Sequence, residues 1–218
     1  MRVKVILVVV GSLLLLGQMT VHAAKSIIFQ DVVEEHWAKS YIDRAVGIGF
    51  VAGFPDGHFR PSEPVHVDQF IKMVVLATGV KVEQGEGYWA ENYIIYATAA
   101  GLVKNTDFTS YDRPINRGEM LRIMIRALGE ESVENAERYA DHIADIENVS
   151  EGFRPFVLQG YVLGLMTGYD DGTIHPEYSA SRAEAVTAIL RVIDPALRVV
   201  PETVIVDQVE SDNEGAVE

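Results

Sequence analysis

Apolar positions along this chain change their period, reach a loop, and then begin the same succession again. Tyr41, Ile42 and Ala45 lie at i, i+1 and i+4, which puts one apolar stripe on a helix. Gly49 and Gly53 close that segment, and a short loop with the Asp56-Gly57 turn signal follows. A second helical run then carries Phe70, Met73, Val74 and Leu76. The pattern returns with Tyr93, Ile94 and Ala97, a break at Gly101, and a helix through Met120, Ile123, Met124, Ala127 and Leu128. It returns once more with Phe153, Phe156 and Val157, glycines at 164 and 168, Asp171-Gly172, and a helix through Val186, Ile189, Leu190 and Ile193. These are three helix–loop–helix units, over residues 27–79, 87–129 and 139–195. A unit of this size cannot bury a core alone, but three that pack their second helices together can. The expected fold is mostly α, three-part and pseudo-threefold.

The second helix of each unit opens on a recurring motif. Asn116-Arg117-Gly118-Glu119 and Ser181-Arg182-Ala183-Glu184 each offer a capping residue and a glutamate three positions on, the pattern of a capping box. His66-Val67-Asp68-Gln69 stands in the same place in the first unit without the arginine. A cation beside the positive end of a helix dipole is mildly unfavourable. Two arginines at that position therefore point to a role in holding an anion next to free backbone N–H groups. Both are expected at the surface, where Arg117→Ala or Arg182→Ala would weaken binding with little loss of fold.

Composition adds a compartment and a sign of charge. Met1-Arg2-Val3-Lys4, the apolar run Val5–Leu16 and Val21-His22-Ala23 read as a secretory signal peptide over 1–24, too short to remain as a span. The chain has no cysteine, which excludes a disulfide framework and thiol catalysis. Its net charge of −14 argues against nucleic acid and against anionic lipid surfaces. Residues 198–218 are acidic and read as a flexible tail.

The order Phe29-x-Asp31-Val32, Trp37-Ala38, helix, Gly-x-x-x-Gly, Asp-Gly-x-Phe-x-Pro and Ser-Arg-Ala-Glu, repeated with variations, resembles the S-layer homology (SLH) domain in triple tandem arrangement over 27–195. The resemblance implies a three-pronged spindle around a central three-helix bundle. It also implies a secreted module on the bacterial cell surface that binds secondary cell-wall polysaccharide non-covalently, in grooves between adjacent repeats. The family's usual ligand carries pyruvylated N-acetylmannosamine. The arginine of the family motif maps onto Arg117 and Arg182, and a guanidinium grips a ketal carboxylate with two hydrogen bonds. Trp37 and Trp89 offer flat faces to a sugar ring, and Asp31 and Asp145 cap or orient the arginines. The chain departs from the pattern at Val67 and Gln69, in the missing Asp-Gly loop of the second unit, and at Phe153 near the tryptophan place. One or two working grooves are expected instead of three.

Blander roles exist for the same residues. The arginines can pair with a carboxylate of the neighbouring repeat, such as Asp31 or Asp145. The tryptophans can be core anchors, and Glu119 and Glu184 read as capping residues. Asp170-Asp171-Gly172 reads as a turn, because an EF-hand loop needs more spaced carboxylates. The histidines lack metal spacing, no cofactor is implied, and no pair of carboxylates is selected for glycoside hydrolysis. The chain therefore reads as a binding module and not as an enzyme. The alternative is a surface adaptor that recruits a protein partner, with carbohydrate binding reduced or lost.

Overall fold

The computed structural model describes residues 29–129, 133 and 135–202. The expected signal peptide lies outside the described residues, as does most of the acidic tail. Among the described residues six α-helices form: α1 (Lys39–Ile48), α2 (Val67–Ala77), α3 (Glu91–Ala99), α4 (Arg117–Leu128), α5 (Arg154–Val162) and α6 (Arg182–Ile193). Short 3₁₀ segments at Ala136–His142 and Ile146–Asn148 lead into the third unit. Among the described residues there is no strand. Gln30 and Asp31, in the segment before α1, form a turn.

The cap signals act as the sequence implies. The side chains of Asn116 and Ser181 accept from the backbone N–H of Glu119 and Glu184, and each glutamate accepts from the N–H of its cap residue. In the first unit, Gln69 accepts from the His66 N–H at 3.4 Å. Gly49 ends α1 with a left-handed φ of 92°, which a side chain would strain. Gly53 is needed for a different reason: a Cβ there would stand 2.1 Å from the Phe29 ring.

The second helices α2, α4 and α6 each contribute fully buried apolar side chains, including Phe70, Ile71, Met120, Leu121, Ile123 and Leu190. Each first helix packs against the second helix of the unit before it: α3 against α2, and α5 against α4. The ring closes where α1 packs against α6. Each prong is thus built by two units, and the start of the fold is held by its end.

Backbone hydrogen bonds state the threefold symmetry directly. Val65 N–H donates to Ala180 O, Ala180 to Ile115 O, and Ile115 to Val65 O, each at 2.9 Å. Around this inner triangle runs a second: Val67 to Arg113 O, Arg117 to Tyr178 O, and Arg182 to Glu63 O. A third joins Asp68 to Tyr111 O, Gly118 to Pro176 O, and Ala183 to Pro61 O. Unit 1 therefore pairs with both others, and equivalent positions are 50 residues apart between Val67 and Arg117 and 115 apart between Val67 and Arg182.

These triangles overturn one expectation. The first two N–H groups of α4 and α6 are already bonded to loop carbonyls of the next unit, and the third is bonded to the cap side chain. Burying an inter-unit joint requires that these donors be satisfied. The helix starts accordingly hold protein backbone, not a free anion, and any anion must be met by side chains.

Candidate ligand-binding grooves

The two motif arginines are buried, contrary to the surface position expected of them: Arg117 is 3 % exposed and Arg182 7 %. Each reaches across a joint into the loop of the following unit. Arg117 Nε donates to Ile174 O at 2.7 Å, and Arg182 Nε donates to Phe59 O at 3.0 Å. Arg182 Nη2 also donates to Ala52 O at 3.2 Å. Aromatic faces complete both seats. The Arg117 guanidinium lies 4.6 Å from the Tyr169 ring centre, and that of Arg182 lies 4.9 Å from Phe54 and 4.8 Å from Phe59.

Asp31 and Asp145 do not contact the arginines. Asp31 accepts from the N–H of Phe59 and Arg60, and Asp145 accepts from the N–H of Ile174 and His175. Arg60 and His175 are equivalent, and both have left-handed φ values, 63° and 48°. The carboxylates hold this uncommon turn, and the turn aims the carbonyls of Phe59 and Ile174 at the arginine Nε atoms. Burial raises the pKa of Asp31, but the Phe59 and Arg60 N–H bonds outweigh it, so the carboxyl lies below its ordinary value.

The arginines differ in their charge partners. Arg117 forms an ion pair with Glu184, whose oxygen also accepts from the Tyr169 hydroxyl at 3.2 Å. Neither Asp31 nor Asp145 is the partner that the sequence suggested. Arg182 has no carboxylate within 4 Å among the described residues, because Gln69 occupies the place equivalent to Glu184. Burial draws its pKa below the ordinary arginine value.

Each arginine faces a tryptophan from another unit across a groove. A cavity of about 760 Å³ is bounded by Trp37, Arg117, Glu184, Arg191 and the loop through Tyr169. One of about 480 Å³ is bounded by Trp89, Arg182, Gln69, Lys72 and the loop through Phe54. The two grooves are the same site turned by one step of the pseudo-threefold. Trp37 is 58 % exposed and stacks on His36, which leaves its outer face open. Trp89 is half-buried, with the Lys72 ammonium 5.5 Å from its ring centre. The Trp37 groove balances Arg117 and Arg191 against Glu184 and Asp170. The Trp89 groove contains Lys72 and Arg182 and no acid.

The third joint is closed. Val67 replaces the arginine, and Gly152 replaces the tryptophan, since Phe153 sits at the α5 N-cap, the place of Ala38 and Ala90. The Phe153 ring lies where a Cβ on Gly118 would come within 2.8 Å of it. The sequence puts Phe153 near the tryptophan place, and the structure puts it one residue on, at an α5 start that lacks the Trp-Ala pair of the other units. Sequence reading missed Lys72, Gln69 and Arg191 as groove residues. Their helical spacing from the start of the second helix was the available signal: Lys72 lies five residues after Val67, and Arg191 nine after Arg182.

Two segments of the chain, residues 28–65 and 142–186, match the family model of the S-layer homology domain. The chain is 29% identical over 196 residues to an exoglucanase, XynX, of Acetivibrio thermocellus, covering 84% of this chain and 18% of that protein. A cellulosome-anchoring protein of the same organism is 30% identical over 118 residues, 47% of this chain and 26% of that one. The S-layer protein EA1 of Bacillus anthracis is 25% identical over 192 residues, 84% of this chain and 22% of that one. The chain thus spans about a quarter or less of the length of these relatives. No helix among the described residues is long and apolar enough to cross a membrane.

Proposed function

We propose that this chain is a cell-surface anchoring module built from three S-layer homology repeats, the unmatched middle unit being the second. It attaches non-covalently to an anionic secondary cell-wall polysaccharide through the Trp37 and Trp89 grooves. The observation that carries this reading is the duplicated groove, in which a tryptophan face meets a buried arginine from another unit. A sugar ring stacks on the indole while a pendant carboxylate meets cationic nitrogen. In a chain of net charge −14, the Trp89 groove concentrates Lys72 and Arg182 without an acid, which is the local field a carboxylate such as a pyruvate ketal requires. The third joint contributes structure and no groove. The role is binding and not catalysis, at the cell wall outside the membrane.

Co-sedimentation of the purified protein with bacterial wall sacculi tests this, before and after mild acid removal of pyruvate and polymer. The protein is expected to pellet with intact sacculi and to stay in solution with extracted ones. Equal pelleting with both sacculi would rule out an anionic accessory polymer as the ligand. No pelleting with either would move protein recruitment, the adaptor role, to the front.

A further inference from the structure

The closed third joint is filled from within, and its filling marks a subsite in the open Trp37 groove. On α4, Arg126 Nη1 donates to Leu102 O at 3.3 Å, and its guanidinium grips both oxygens of Asp107. The Asp107 side chain is 6 % exposed. This is a carboxylate held bidentately by arginine at the mouth of an inter-unit joint.

Arg191 on α6 occupies the equivalent place. Its Nη1 donates to Leu165 O at 3.3 Å, matching the Arg126 bond to Leu102. It lines the 760 Å³ cavity, yet no carboxylate lies within 4 Å of it among the described residues. Its Nε is buried without a hydrogen-bond partner. Where Arg126 has Asp107, Arg191 faces open groove. The motif arginine of this groove, Arg117, is already neutralised by Glu184.

We propose that Arg191 is the carboxylate-binding residue of the Trp37 groove, taking a ligand acid in the way that Arg126 takes Asp107. This rests on the reading of the grooves as saccharide sites. It separates two roles that one arginine was expected to perform. Arg117 holds the loop and the joint, and Arg191 reads the acid while Trp37 stacks the ring. Asp170, which lines the same cavity, and Glu184 oppose any second negative charge, so a single carboxylate fits better than a doubly charged phosphate.

The two tryptophans give one reporter per groove. The probes are the methyl glycoside of pyruvylated N-acetylmannosamine and the methyl ester of its pyruvate carboxyl, titrated while the Trp37 and Trp89 indole N–H resonances are followed. Through the Trp37 signal, the acid is expected to bind wild type more tightly than the ester. Arg191→Gln is expected to weaken acid binding there roughly tenfold and leave ester binding unchanged. Arg191→Lys keeps the charge without the bidentate fork, so it is expected to fall between the two. In both variants the Trp89 signal should titrate as in wild type. Equal losses for acid and ester at Trp37, or no loss in either variant, would overturn the assignment, as would a wild type whose Trp37 signal does not respond to the acid. If wild type pellets with sacculi while one of these results holds, only the Arg191 assignment fails; if wild type does not pellet, the groove reading itself fails.

Discussion

Arg182 shows how a residue that the sequence marks for a ligand can be built into the fold. Its Nε and Nη2 satisfy two loop carbonyls of unit 1, and its guanidinium lies against Phe54 and Phe59. Arg182→Ala leaves Phe59 O and Ala52 O without these donors, and is expected to cost about 1–3 kcal/mol in urea unfolding in addition to weakening wall binding. Arg182→Lys retains a charge but cannot span both carbonyls, so chemical unfolding should place it between Ala and wild type. Asp31 yields a pH prediction. Its folded pKa is depressed, so the stability it contributes is present above the unfolded pKa and is lost as pH falls through the folded value. The Phe59–Arg60 turn is therefore expected to weaken below about pH 4. Asp31→Asn, less stable at neutral pH, should show a flatter decline between about pH 4 and 2. A parallel decline in both proteins would place the acid-sensitive group elsewhere.

At the scale of elements, the closed joint is a matched exchange of size. Phe153 stands where the other units have alanine, and Gly118 removes the Cβ that would meet its ring. Gly118→Ala is expected to destabilise by roughly 1–3 kcal/mol despite the better helix propensity of alanine. Phe153→Ala should relieve most of that cost, and a double-mutant cycle measured by thermal unfolding reads the coupling. Additive effects would show that the two residues do not share the space. The helices and caps were legible in the sequence, because periodicity and capping chemistry are local signals. The packing of Phe153 on Gly118 was not legible, since it depends on which residues face each other across a joint. The burial of Arg117 and Arg182 was hidden for a related reason. A helix start looks exposed until the loop carbonyls of the next unit, Tyr178 O and Glu63 O among them, close over it.

At the scale of the whole molecule, the three units form a ring and not a stack. In an open solenoid each repeat touches only its neighbours, so an end can fray without harm to the rest. Here α1 packs on α6, and the three backbone triangles each draw a bond from all three units. Removing any unit takes one vertex from every triangle and strips the partner helix from a second unit. A chain ended after Gly129 would lack α6, leaving Ile42 and Ala45 of α1, both fully buried in the intact fold, without their neighbouring helix. The same truncation would strip the Ala180 acceptor from Val65 and the Tyr178 acceptor from Arg117. Unfolding of the intact protein is accordingly expected to be a single transition, with helical circular dichroism and tryptophan fluorescence coincident. The reporters are well placed for this comparison, because Trp37 precedes α1 at the α6 joint and Trp89 precedes α3 at the α2 joint. The fragment 29–129 is expected to lose the cooperative transition instead of keeping two-thirds of the stability. A fragment melting sharply near the temperature of the intact protein would show that the ring closure is incidental and that the units are stable in sequence.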